Sequence, residues 1–271
     1  MTELKDTRRQ APPELAAAYA EIFAGLDRLG PGHEETTARM LALVHPFLPH
    51  PARIADMGCG TGADAVDLAL TLPEAQVYAV DALPEMARAC RDRARRAGIS
   101  PRVTVFVGDM CGDFLDRLGM DELDLIWASS SVWAVGRQTA LASWAPLLRP
   151  GGWLLFSDLV WLSAPDQRPR EIAAFWKDAY PDMVTPGQVV TEIAAAGLQP
   201  ISQHLLSAED WQAYYGPLPE RLDRIRARAD GPDSPLARAA RALASEIRIF
   251  DSGFGSYSSG FFVARKPLWD W

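Results

Sequence analysis

Ile54-Ala55-Asp56-Met57-Gly58-Cys59-Gly60-Thr61-Gly62 is the stretch that decides the fold. A short apolar run ends in an acid, three glycines alternate with small residues, and a helical pattern begins at Ala63. That order is a strand, a tight turn and a helix start, which brings a nucleotide-like ligand against backbone N–H groups. Glycine suits positions 58, 60 and 62 because the turn needs positive φ and a Cβ would block close approach of the ligand. The spacing is G-x-G-x-G, not the G-x-G-x-x-G of dinucleotide binding.

Working outward, Ala75 to Val80 is an apolar run closed by Asp81, nineteen positions after Gly62. An acid at the tip of a second strand is placed to accept from ribose hydroxyls, or else to cap the next helix. Val103 to Val107 reads as a third strand and closes on Gly108-Asp109-Met110. There Asp109 is placed to accept from the exocyclic amine of an adenine with Met110 against the ring, or to cap its own turn. A fourth run, Leu123 to Ala128, leads into Ser129-Ser130-Ser131, and a fifth, Trp153 to Phe156, follows Arg149-Pro150-Gly151-Gly152. Helical patterns over 63–72, 84–97 and 137–148 alternate with these runs. Such alternation predicts an α/β fold, a parallel sheet with helices on both faces.

The ordered set resembles the class I S-adenosylmethionine-dependent methyltransferases: D-x-G-C-G-T-G, an acid after the second strand, G-D-M after the third, D-L-I-W at the fourth and L-R-P-G-G before the fifth. The resemblance covers residues 50 to 160. A further similarity, to small bacterial methyltransferases of unassigned substrate, runs from Arg28-Leu29-Gly30-Pro31-Gly32 to Gly260-Phe261-Phe262-Val263-Ala264-Arg265-Lys266. It implies a Rossmann-like sheet of seven strands, mostly parallel with the last strand antiparallel, and S-adenosylmethionine as cofactor with S-adenosylhomocysteine as product. It also implies a site. Asp56, Gly58, Cys59, Gly60, Thr61 and Gly62 would meet the methionine portion, with Arg28 either at its carboxylate or a surface arginine beside a turn. Asp81 and Ala82 would meet the ribose, and Gly108, Asp109 and Met110 the adenine. Met86 would touch the adenosine or fill the core, and Ala128 and Ser129 would close the cofactor pocket.

The chain of 271 residues suits one domain of this kind. Its divisions are expected at 13–50 (a helical cover), 51–206 (the cofactor-binding core), 207–250 (a helical lid) and 251–271 (a closing strand and tail), after a frayed polar start over 1–12. The second half adds a helix opened by Pro169, a capping-box helix at Thr185-Pro186-Gly187-Gln188, a sixth strand over 200–206 and a closing strand over 256–265. A formal charge of −8 and a pI near 5.1 argue against a nucleic-acid partner. The absence of about 18 consecutive apolar residues argues against a membrane span. Three cysteines, 59, 90 and 111, and a start without an apolar signal core point to the cytoplasm. Oligomeric state is not written in the sequence.

Methyl transfer from a sulfonium by in-line displacement calls for orientation and a dry, shaped site more than a reactive side chain. No G-x-S-x-G, H-E-x-x-H or paired C-x-x-C occurs, and His33, His45, His50 and His204 lack ligand spacing, so no metal is expected. A small organic acceptor should lie beyond the carboxyl ends of the central strands. That places Ser130, Ser131, Trp133, Asp158 and Trp161 near the transferred methyl, with Asp158 as candidate acid/base or loop cap. The aromatics Trp176, Tyr214 and Tyr215 line the same pocket or simply pack beneath the lid. One rival reading, a nicotinamide-dependent reductase, lacks its glycine spacing and any Tyr-x-x-x-Lys. A nucleic-acid methyltransferase lacks N-P-P-Y or D-P-P-Y and a basic domain. A catalytically silent cofactor-binding module remains the alternative, because these motifs report the cofactor and not the transfer.

Overall fold

A computed structural model describes residues 12–253 and 255–268. The polar start up to residue 11 and the last three residues of the tail lie outside them. Two helices, α1 (Pro13–Phe23) and α2 (Glu34–Ala42), come first. The chain then alternates β1 (Arg53–Met57), α3 (Ala63–Thr71), β2 (Gln76–Asp81), α4 (Pro84–Arg96), β3 (Val103–Val107), β4 (Leu123–Ala128), α5 (Arg137–Trp144) and β5 (Leu148–Trp161). Next come α6 (Arg170–Ala179), α7 (Pro186–Ala195), β6 (Gln199–Leu205), α8 (Ala208–Tyr215), α9 (Leu218–Arg228), α10 (Pro235–Gly253) and β7 (Tyr257–Arg265).

The strands form one sheet in the order β3-β2-β1-β4-β5-β7-β6. The five from β3 to β5 are parallel, and β7 runs antiparallel to both of its neighbours. This is the Rossmann-like arrangement expected from the sequence. The order reverses between β1 and β4, so a crevice opens there at the carboxyl ends of the strands.

Strand parity assigns each side chain to a face. Ile54, Leu125, Trp127, Leu155 and Phe261 pack against α1–α4, α6 and α8–α10. Ala55, Met57, Ile126, Phe156 and Phe262 pack against α5 and α7. Both faces are apolar, which is why the central strands show no polar alternation. The 207–250 segment is helical in three pieces, as expected. Leu218, Leu222, Ile225, Ala240 and Leu243 join Leu15, Ala18 and Ile22 of α1 in one buried cluster. Capping boxes start α7 at Thr185 and Gln188 and α8 at Ser207 and Asp210.

Several boundaries differ from the sequence reading, and α5 ends at Trp144 and not at residue 148. β5 starts at Leu148, ahead of the expected run from Trp153, and continues past Phe156 to Trp161, because β7 pairs with it as far as Trp161 opposite Tyr257. α10 extends to Gly253, where the chain passes so close to α6 that a Cβ would lie 2.2 Å from Ile172 Cδ1. Among the described residues no helix is long and apolar enough to cross a membrane. Nor does any group of three His, Cys, Asp or Glu among them suit a metal ion.

Candidate active site

The glycine turn sits at the mouth of the β1/β4 crevice. Gly58, Gly60 and Gly62 have φ of 77°, 52° and 82°. A Cβ on Gly58 would lie 2.4 Å from Ser131 Cβ, and one on Gly62 would lie 2.5 Å from Cys90 Sγ. Both the backbone angle and the space therefore demand glycine. The turn is held from below: Gly58 and Cys59 N–H donate to the Val80 carbonyl, and Gly62 N–H to the Cys59 carbonyl (2.9, 2.9 and 2.8 Å). Gly60 N–H donates to Asp81 Oδ2 at 2.9 Å. These N–H groups are spent inside the protein, so what the turn offers a ligand is its Cα surface.

Asp81 is the second support. Its other oxygen, Oδ1, accepts from Leu83 N–H at 2.9 Å. It thus ties the glycine turn to the tip of β2 and to Leu83 just before α4, while partly exposed beside Ala82 at the crevice. Burial raises its pKa, with the two N–H bonds working the other way. Met110 Sδ would lie 3.5 Å from a Cβ on Gly58, which brings the two parts of the expected pocket together. Ser131 Oγ donates to the Met57 carbonyl at 2.6 Å, adding the loop after β4. Asp109 beyond Gly108 is exposed, and its Oδ1 accepts from Cys111 N–H at 2.8 Å. That is the turn cap, with the second oxygen outside that bond. Met86 is buried on the first turn of α4.

Beneath the turn Asp56 is buried, and its Oδ2 has no hydrogen-bond partner. Burial raises its pKa well above the carboxylate range, Asp64, Cys90 and Asp81 push the same way, and Arg28 opposes them. The structure gives Arg28 a different partner set from the one expected. Its guanidinium bridges Asp64 Oδ1 and Asp67 Oδ2, both at 2.5 Å, on the first two turns of α3. An arginine held by two carboxylates is not waiting for a third. The signal was present in the sequence: Asp64 and Asp67 share a helix face three residues apart.

Asp67 gives a pH prediction. Its pKa is raised to about 6, by burial first, against the attraction of Arg28 and with Asp64 and Glu34 adding to the rise. The ordinary value is about 3.9. Between these values the folded chain keeps a proton that the unfolded chain has released, so this contribution to stability falls as pH rises through that window. Asp67→Asn removes it. Melting temperatures at pH 4.5 and pH 7 should show the variant gaining on the wild type at the higher pH. A gap that is constant, or moves the other way, contradicts the assignment.

Asp158 does not stand free at a strand tip. It lies on the α5/α7 face of β5, the parity opposite to Ser157 and Trp161, and is 4% exposed. Arg137 Nη1 donates to its Oδ2 at 2.6 Å, Tyr180 Oη reaches Oδ1 at 2.9 Å, and Leu159 N–H donates to Oδ1 at 2.8 Å. Arg137 also donates to Glu192 Oε2 at 2.5 Å and to the Asp182 carbonyl at 3.2 Å. The carboxylate is the centre of a buried clamp joining β5, α5, α6 and α7, and has no path to an acceptor on the other face. Arg137 and Tyr180 were not singled out from the sequence, because nothing local marks a pair more than twenty residues from its carboxylate.

The serines after β4 divide their roles. Ser130 has a positive φ of 54°, and its Oγ is buried without a partner. Its N–H donates to Ser157 Oγ at 2.7 Å and its carbonyl accepts from Trp133 Nε1 at 2.7 Å. Ser130 thus combines a left-handed backbone with an unmet hydroxyl at the crevice. Ala128 and Ser129 lead into it from β4.

The expected pocket aromatics gather separately, on the same face as Ser157 and farther out along β5. Trp176 meets Tyr257 edge-on at 5.1 Å, Trp161 meets Tyr257 at 6.3 Å, Trp211 stacks on Tyr215 at 5.5 Å, and Tyr214 lies 4.7 Å from Tyr215. Trp161, Trp176, Tyr214 and Tyr215 are all buried. Ser157 and Trp161 are four residues apart, or roughly 13 Å along the strand. Tyr257 and Trp211 complete this cluster.

A family model for a methyltransferase domain matches residues 54–152. The chain is 33% identical over 149 residues to a malonyl-[acyl-carrier protein] O-methyltransferase of Laribacter hongkongensis, covering 54% of this chain and 50% of that protein. It is 32% identical over 192 residues to a trans-aconitate 2-methyltransferase of Streptomyces avermitilis, covering 66% of each. The chain thus spans about half to two thirds of the length of these relatives. Among solved structures, a SAM-dependent methyltransferase from Geobacter sulfurreducens in complex with S-adenosyl-L-homocysteine superposes with a TM-score of 0.75 at 20% identity, over 92% of this chain and 97% of that one.

Proposed function

The chain belongs to the class I S-adenosylmethionine-dependent methyltransferase family, and from that premise we propose that it binds S-adenosylmethionine in the β1/β4 crevice and methylates a small organic acceptor. The observation that carries this reading is the glycine turn: three left-handed glycines, of which Gly58 and Gly62 have no room for a Cβ, anchored by Asp81 at the switch point of the sheet. The residues also suit the cofactor chemically. The unmet Oδ2 of Asp56 matches an ammonium group, such as that of the methionine portion, and Met110 offers an apolar surface to a purine. Bound there, S-adenosylmethionine would supply a sulfonium-activated methyl group.

The chain's own residues then orient and exclude water. Gly58, Gly60 and Gly62 leave a floor with no side chain at three of its five positions, Asp81 stands where ribose hydroxyls would meet it, and the loop 129–133 closes the acceptor side. With Asp158 locked in its clamp, no acid from β5 serves as a base, and the reading favours an acceptor that is already nucleophilic. We read all 271 residues as one such unit, in the cytoplasm.

Calorimetry with S-adenosylhomocysteine and NADPH, followed by methyl-label transfer from S-adenosylmethionine into a metabolite extract, tests the proposal. The expected result is binding of the sulfur nucleoside alone and label in a small organic product. Nicotinamide binding in its place would overturn the reading, and binding without transfer to any metabolite would favour the silent module.

A further inference from the structure

The thiols of the chain take no part in methyl transfer as described, yet two of them meet at the glycine turn. Cys59 follows the first glycine of the turn, and Cys90 sits on α4. A Cβ on Gly62 would lie 2.5 Å from Cys90 Sγ and 2.8 Å from its Cα, so the turn is folded directly onto this side chain. Cys59 gives its S–H to Cys90, and the two sulfurs form a hydrogen-bonded pair. All three cysteines are free thiols, and Cys111 lies apart, beside Ser143 and Trp144.

Exposure and acidity divide the roles within the pair. Cys90 is fully enclosed, whereas Cys59 keeps 8% of its surface accessible at the mouth of the crevice. The hydrogen bond from Cys59 lowers the Cys90 pKa, with burial and Asp81 opposing it and Arg91 and Arg93 on the same helix assisting. That bond also keeps the proton on Cys59, where burial, Asp56 and Asp81 add to the rise. The two sulfurs therefore share one proton, and its passage to Cys90 puts a thiolate on the accessible sulfur. Thiol pairs in a reducing compartment oxidise transiently, as sensors or catalysts.

We propose that Cys59 and Cys90 are a modification site, a dithiol that hydrogen peroxide closes to a disulfide, and that closure withdraws the turn from its ligand. The first part stands without the cofactor reading above, and the second rests on it. As its proton crosses to Cys90, Cys59 Sγ attacks one peroxide oxygen: the S–O bond forms, the O–O bond breaks and hydroxide leaves, giving a sulfenic acid. Cys90 then surrenders the proton to that hydroxide. Its thiolate attacks Cys59 Sγ, and the S–S bond forms as the S–O bond breaks and a second hydroxide departs. Counted from two thiols, the sulfurs lose two electrons and one peroxide becomes two waters. The sulfurs must close from hydrogen-bond contact to about 2.05 Å. Cys90 is fixed in α4 against Gly62, so it is the turn that moves. Cys59 is drawn off the Val80 carbonyl, and the bond from Gly60 N–H to Asp81 is pulled with it.

Peroxide treatment of the reduced full-length chain, followed by peptide mapping and calorimetry with S-adenosylhomocysteine, tests this. The expected result is a Cys59–Cys90 cross-linked peptide, an intact mass lower by two hydrogens, and an affinity weaker by about ten-fold or more. Dithiothreitol should reverse all three. Cys90→Ser cannot close the bond and should keep its affinity through the same treatment. Peroxide-treated wild type with no such cross-link, or with one through Cys111 in its place, would overturn the dithiol. A cross-linked wild type that binds as tightly as the reduced chain, or a Cys90→Ser chain that loses affinity equally, would overturn the effect on the turn. Absence of any binding by the reduced wild type would remove the cofactor reading, and the cross-link alone then decides the dithiol.

Discussion

Arg137→Met is expected to lower stability by about 3–5 kcal/mol, the cost of leaving a buried charge without its partner. Arg137 and Asp158 are 3% and 1% exposed at the side chain, so neither has water to fall back on. Without the guanidinium, Asp158 keeps only the Tyr180 hydroxyl and Leu159 N–H, and Glu192 loses a bond as well. For a chain of this size the melting temperature should fall by roughly 10 °C. A double variant, Arg137→Met with Asp158→Leu, removes both charges and should recover much of the loss, because an apolar pair of similar volume often substitutes for a buried ion pair. Calorimetric melting decides it. A wild-type melting temperature in Arg137→Met would show that Asp158 is not paired as described and would reopen its candidacy as an acid or base.

Asp81→Ala carries the largest expected effect on binding. The variant removes the acceptor for Gly60 N–H and for Leu83 N–H, so the glycine turn loses its lateral support as well as any contact to ribose. Affinity for S-adenosylhomocysteine should fall by about 10- to 100-fold, or roughly 1.4 to 2.8 kcal/mol. Asp81→Asn keeps one carbonyl oxygen able to accept from one of the two N–H groups and should fall between. The melting temperature, recorded beside the isotherms, separates local loss of the site from unfolding. Unchanged affinity in a folded Asp81→Ala variant would take Asp81 out of the site.

The sequence by itself determined the alternation of strands and helices, the place of the glycine turn, and the acids and small residues that follow β1, β2 and β3. These were legible because each is local: parallel strands buried on both faces read as apolar runs, and a left-handed turn next to a helix start requires glycine. The capping of α7 by Thr185 and the three-piece helical segment over 207–250 were legible for the same reason. Tertiary structure alone decided which way Asp158 faces, since one residue of strand parity carries a side chain to the opposite layer. It also decided that Arg28 is held by Asp64 and Asp67, and that Cys90 lies against the glycine turn. Those contacts join segments tens of residues apart, and they depend on where the folded sheet sets each rim, which no local pattern of residues encodes.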